Sequence, residues 1–90
     1  MKRYDFLISY DIADPKRLRK IAKHIERKAL RIQYSVYVLY DATKEELARL
    51  LEEILKIANE EQDDIRVYKI SHYGIKMGSA VDLQNPYDFF

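Results

Sequence analysis

Ninety residues, 48% of them hydrophobic, make one small domain that buries only about 60–65% of the surface its unfolded chain would expose, so a second copy would add usefully to its stability. The lack of cysteine excludes disulfides and thiolate metal sites, and two histidines far apart in sequence give no basis for zinc, so any metal must be bound by oxygen. A net charge of +1 hides strong segregation: Lys16, Arg17, Arg19, Lys20, Lys23, Arg27, Lys28 and Arg31 face a single acid, Glu26, whereas residues 41–64 are dominated by Asp and Glu, a pattern that fits an oriented polyanion or two solvated helix faces of opposite sign.

Met1-Lys2-Arg3 leads into a strand-like pattern rather than a secretory leader, and no run approaches the ~18 apolar residues of a membrane span. A cytoplasmic protein with no membrane partner is therefore expected. The segment Tyr4–Tyr10 is rich in aromatic and β-branched residues, with Tyr4, Phe6, Ile8 and Tyr10 on one face and Asp5, Leu7 and Ser9 on the other. This predicts a first, central strand. Asp14-Pro15 supplies an N-cap oxygen followed by proline at the first helical position, where a missing N–H costs nothing. In the helix that follows, Leu18, Ile21, Ala22, Ile25 and Ala29 form a narrow apolar stripe, leaving the basic residues on the remaining surface.

Leu30–Tyr40 is β-forming throughout, with Ile32, Tyr34, Val36, Val38 and Tyr40 sharing one parity. Without glycine or proline inside it, one long bent strand and a hairpin turning near Gln33-Tyr34-Ser35 both fit. Thr43-Lys44-Glu45-Glu46 is a capping box and opens a second helix whose stripe is Leu47, Leu50, Leu51, Ile54, Leu55 and Ala58. Ile65–Ile70 is the last clear strand. The tail, residues 72–90, ends in Tyr87-Asp88-Phe89-Phe90, and such aromatics are expected to pair with a sheet edge or pack on another subunit. The order of elements predicts an α+β domain over residues 1–71, with two helices on one face of a mostly antiparallel sheet in a ferredoxin-like two-layer sandwich.

Fold alone assigns no function. The combination of an apolar strand ending in Tyr10-Asp11, then Asp14-Pro15-Lys16-Arg17-Leu18-Arg19-Lys20, then Arg31-Ile32-Gln33-Tyr34-Ser35-Val36-Tyr37, an acidic helix and Ile65-Arg66-Val67-Tyr68 resembles the CRISPR-associated protein two family, over about residues 3–71. The resemblance implies a homodimer of ferredoxin-like subunits, a divalent cation at Asp11 (magnesium, or another such as manganese) and association with the integrase subunit that inserts new spacers. Some family members look like metal-dependent endonucleases acting on RNA or DNA; others act as scaffolds gripping duplex DNA. This sequence departs from the family pattern at Lys28-Ala29-Leu30, where many members have a glycine, and at Val38, where an acid is common. Neither departure touches Asp11.

Magnesium takes octahedral oxygen coordination, keeps several waters, and is held by one or two carboxylates plus substrate phosphate. One aspartate per chain is too few, so a two-fold axis beside the first strand's end would bring two copies of Asp11 to one ion. On sequence grounds alone, Asp11 reads first as a turn residue capping the loop before the helix, and it is the family resemblance that favours the ligand instead. Tyr10 belongs by parity with the core, and Ser9 either supports the site or ties down the strand end. Arg17, Arg19 and Arg31 suit bidentate phosphate contact, with solvated helix surface as the alternative for Arg17 and Arg19. His24 and His72 read as structural. A single-stranded RNA binder using sheet aromatics would need them alternating on an exposed face beside glycine-rich neighbours, a pattern not present here.

Overall fold

The computed structural model describes residues 1–71 and 74–76, the latter as backbone. The elements run β1 (Tyr4–Asp11), α1 (Pro15–Glu26), β2 (Leu30–Gln33), β3 (Val36–Ala42), α2 (Lys44–Leu55), β4 (Asp64–Ser71) and β5 (Gly74–Lys76). Neighbouring strands pair antiparallel in the order β2-β3-β1-β4-β5, so β1 lies at the centre. This is the ferredoxin-like α+β sandwich expected from the order of elements. The expectation for the tail falls largely outside the described residues; within it, β5 pairs along β4.

Both helices begin where local chemistry dictates. Asp14 caps α1, its carboxylate accepting from the Arg17 N–H at 2.9 Å, with Pro15 in the first turn. Thr43 and Glu46 complete the capping box of α2, with bonds of 3.1 and 3.0 Å. Alternation puts Phe6, Ile8 and Tyr10 of β1, Tyr37 and Leu39 of β3, and Ile65 and Val67 of β4 on one face. Ile21 and Ile25 of α1 and Leu47, Leu50, Leu51 and Ile54 of α2 close over that face to form one core. Burying each such side chain contributes about 1.5–3 kcal/mol.

Leu30–Tyr40 is a hairpin rather than one bent strand. The chain reverses at Tyr34-Ser35, where Ser35 takes a positive φ of 65°. The reversal breaks the shared parity: Ile32 and Tyr34 are exposed, and the core takes Tyr37 and Leu39 instead. A second left-handed residue, Asp41 (φ 50°), sits in a β-bulge where Tyr40 and Asp41 together oppose Asp5. The Asp5 carboxylate accepts from the Asp41 N–H at 2.8 Å and Arg3 donates to the Asp41 carbonyl at 2.7 Å, which holds the bulge in place. Ala29 lies beyond α1, which stops at Glu26, but still packs against the core.

The other face of the sheet carries no helix. Across its centre runs a register row of Leu30, Val38, Leu7 and Tyr68, each paired with the next. Val38 is buried although it lies outside the helix-side core, and Leu7 and Tyr68 are half-buried.

Candidate functional site

The site forms where β1 runs out of sheet. Tyr10, the last buried residue of β1, stacks on Tyr37 with ring centroids 6.0 Å apart. Tyr37 donates its hydroxyl to Glu26 at 3.0 Å. Burial first, and then its hydrogen bonds to Tyr10 and Glu26, push the Tyr37 phenol far above its usual range, so it remains a neutral donor. Tyr10 is thus a packing residue that anchors the strand end. Ser9, on the helix-free face, sits between Val36 and Arg66 in the ladder.

One residue further on, Asp11 is exposed. By alternation it shares the helix-free face with Leu7, and in register it lies opposite Asp64 of β4. The Asp64 carboxylate is held by Arg66 at 2.8 Å, and that partner raises the arginine's own proton affinity. On the other side of β1, the Tyr10 N–H donates to the Ser35 carbonyl at 3.1 Å, bringing the β2–β3 turn alongside Asp11.

The loop from Asp11 into α1 is fixed by a residue that sequence reasoning missed. Asp63 has a side chain with no solvent exposure, and its two oxygens accept from the Ala13 N–H (2.9 Å), the Asn59 N–H (2.8 Å) and two nitrogens of Arg17 (Nε 2.9 Å, Nη2 3.2 Å). Arg17 Nη2 also reaches Gln62 at 3.1 Å. Burial alone would raise the Asp63 carboxyl, but Arg17 and the two backbone donors outweigh it and hold the group below the usual carboxylate range. The turn before β4 and the loop after β1 are thereby locked together. In sequence Asp63 is one acid in a run of acids; its distinguishing feature is its place four residues beyond Asn59, whose N–H it accepts.

The predicted basic residues therefore have different positions. Arg17 has its guanidinium committed to Asp63 and Gln62 and its side chain only 23% exposed. Arg19 is exposed on α1 together with Lys16, Lys20 and Lys23, and Arg27 and Lys28 are exposed just past its end. Arg31 is exposed on the edge strand β2, and its guanidinium carbon lies 5.6 Å from the Tyr34 ring centroid. His24 bridges toward α2, its Nδ1 3.4 Å from Glu53 Oε2, and His72 lies outside the described residues.

Among the described residues no three acids or histidines gather into a metal cage. Asp11 presents an exposed carboxylate with one carboxylate neighbour already committed to an arginine, an arrangement of the kind that suits a cation keeping its waters and taking one or two carboxylates. Likewise among them, no helix is long and apolar enough to cross a membrane.

The family model for CRISPR associated protein Cas2 matches residues 4–77. The chain is 38% identical over 72 residues to the CRISPR-associated endoribonuclease Cas2 1 of Nitrosomonas europaea, covering 80% of this chain and 68% of that protein. It is 34% identical to the CRISPR-associated endonuclease Cas2 of Halalkalibacterium halodurans, covering 92% and 97%. Among solved structures, Streptococcus pyogenes Cas2 superposes with a TM-score of 0.67 at 30% identity, over 74% of this chain and 86% of that one. The hypothetical protein TT1823 from Thermus thermophilus gives 0.74 at 26% identity, over 78% and 84%.

Proposed function

This chain belongs to the CRISPR-associated protein Cas2 family, and from that premise we propose that it is a metal-dependent endonuclease hydrolysing phosphodiesters of single-stranded RNA, duplex DNA or both, as a homodimer. The observation that carries this reading is the exposure of Asp11 at the end of the central strand, on the sheet face that no helix covers. The row Leu30, Val38, Leu7 and Tyr68 on that face is the surface against which a second copy would pack. A two-fold axis near the strand ends would then bring two copies of Asp11 together.

Asp11 and its symmetry copy would hold magnesium or manganese, which when bound supplies a Lewis acid at the phosphodiester and acidifies a water. The chain's own residues do the rest. Tyr10 and the Asp63–Arg17 lock set the direction of Asp11. Arg19 and Arg31 are exposed cations that meet phosphates on either side.

The exposed basic face of α1 favours a second reading, a scaffold that grips duplex DNA and bridges integrase subunits in spacer acquisition. One variant separates them. Asp11→Ala is assayed for cleavage of labelled RNA and duplex DNA in magnesium and in EDTA, alongside duplex binding and association with the integrase subunit. Abolished cleavage with intact binding supports the nuclease; cleavage indifferent to both the substitution and EDTA refutes it and leaves the scaffold.

A further inference from the structure

The β2–β3 turn, held at its backbone against the end of β1, presents an exposed aromatic ring that the proposed reaction does not yet use. Tyr34 is 69% exposed at the tip of the hairpin. Its position is set on both sides: Ser35, next in sequence, adopts a left-handed conformation and is tied through its carbonyl to the Tyr10 N–H, while the Arg31 guanidinium packs over the ring at 5.6 Å. Ile8 pairs with Tyr37 and Ser9 with Val36, and the Tyr10 bond to Ser35 then holds the turn that carries Tyr34 beside the end of β1, one residue from Asp11.

An exposed aromatic with a guanidinium on its ring suits the stacking of a nucleobase. Every base has a π-face, stacking on an aromatic is tolerant of sequence, and an adjacent arginine adds both a cation–π contact and a donor fork for phosphate. A base within a duplex already has both faces covered by its neighbours and must be unstacked first, at a cost. The basic face of α1, which supplies long-range attraction for the backbone, contains no such element, because its exposed side chains are lysines and arginines.

We propose that Tyr34 is a stacking platform for one unpaired nucleobase, with Arg31 meeting the adjoining phosphate, so that a single strand seated there presents its next phosphodiester toward Asp11. This assigns the site a preference for unpaired nucleotides and makes Tyr34 its selectivity residue. It rests on the nuclease reading for its consequence, but not for its test.

The sequence contains no tryptophan, so Y34W introduces a single reporter at the platform. The full-length variant is titrated in EDTA, where cleavage is suppressed, with a uridylate dodecamer, a duplex of equal length, and inorganic polyphosphate as a polyanion without bases. Stacking predicts strong quenching by the dodecamer, little by the duplex, and none by polyphosphate. In parallel, Y34A weakens dodecamer binding about 5- to 150-fold and Y34F largely restores it, with polyphosphate binding unchanged in both. The proposal is overturned if Y34A binds the dodecamer like the wild type, if polyphosphate quenches as well as RNA, or if the tryptophan of Y34W emits as a buried residue and ignores RNA. Cleavage that survives Asp11→Ala would remove the nuclease reading while leaving the quenching result to stand by itself.

Discussion

Replacing Asp63 tests whether a buried carboxylate, rather than the surface around it, holds the loop that follows Asp11 at the end of β1. The Asp63→Ala substitution removes the acceptor for the Ala13 and Asn59 N–H groups and for two nitrogens of Arg17. An unsatisfied buried donor costs about 1–3 kcal/mol, and breaking a buried ion pair from one side about 3–5 kcal/mol. These overlap, and Arg17 retains some access to water, so the expected loss is about 3–5 kcal/mol, a large fraction of the roughly 5–15 kcal/mol available to a domain of this kind. Asp63→Asn keeps the shape but turns one accepting oxygen into a donor facing a donor, and should cost nearly as much. Urea unfolding followed by circular dichroism measures both. The pH dependence has a fixed sign: because the native carboxyl is held below its unfolded value of about 3.9, its contribution is full above that pH and is lost as pH falls through the lower native value. Wild-type protein should therefore lose stability below about pH 4, with a shallower acid limb in Asp63→Asn. A loss under about 1 kcal/mol for Asp63→Ala would refute the lock.

On the helix-free face, Leu7→Asp should convert a dimer to monomers in sedimentation equilibrium while leaving the fold intact, since Leu7 lies outside the helix-side core. Ile8→Ala, one residue along and fully buried, should instead destabilise the domain by about 2–5 kcal/mol in the same urea assay. Arg19→Ala should weaken duplex binding and reduce the slope of log affinity against log salt by about 1, with no change in the unfolding midpoint. Arg17→Ala should do the reverse, lowering the unfolding midpoint and reducing cleavage, with the salt slope unchanged.

What could be read from the sequence was local. Asp14-Pro15 and Thr43…Glu46 carry their helix starts within four residues, and the alternation from Tyr4 to Tyr10 names a buried face that the structure reproduces. The hairpin was harder because a two-residue turn ordinarily announces itself with glycine or asparagine, and here Ser35 takes the positive φ without either. Its left-handed geometry is fixed by tertiary contact, the Tyr10 bond, which leaves no local signature. The lock was illegible for a related reason. Arg17 and Asp63 stand 46 residues apart, and only its spacing from Asn59 sets Asp63 apart in sequence from Asp64, which instead pairs with Arg66. A one-residue step at the start of a strand turns the side chain to the opposite face, so two adjacent aspartates serve different ends: one buried beneath the Asp11 loop, the other beside Asp11 in the ladder.

The same geometry explains why two arginines of one motif cannot share a role. Residues two apart on an α-helix are separated by about 200° around its axis, so Arg17 and Arg19 cannot converge on one phosphate. The side of α1 that faces the turn before β4 claims Arg17, and the opposite side delivers Arg19 to solvent. The first turn of α1 contains no acid of its own, and the cost of placing cations there is offset by Asp14 at the cap and Asp63 beneath the loop. One arginine is thus committed to the loop that follows Asp11, and on the proposed reading the exposed basic residues of α1 would draw a polyanion toward it. On that reading attraction and orientation would be separated on a single helix, since salt screens the exposed cations but leaves the half-buried Arg17–Asp63 pair largely untouched.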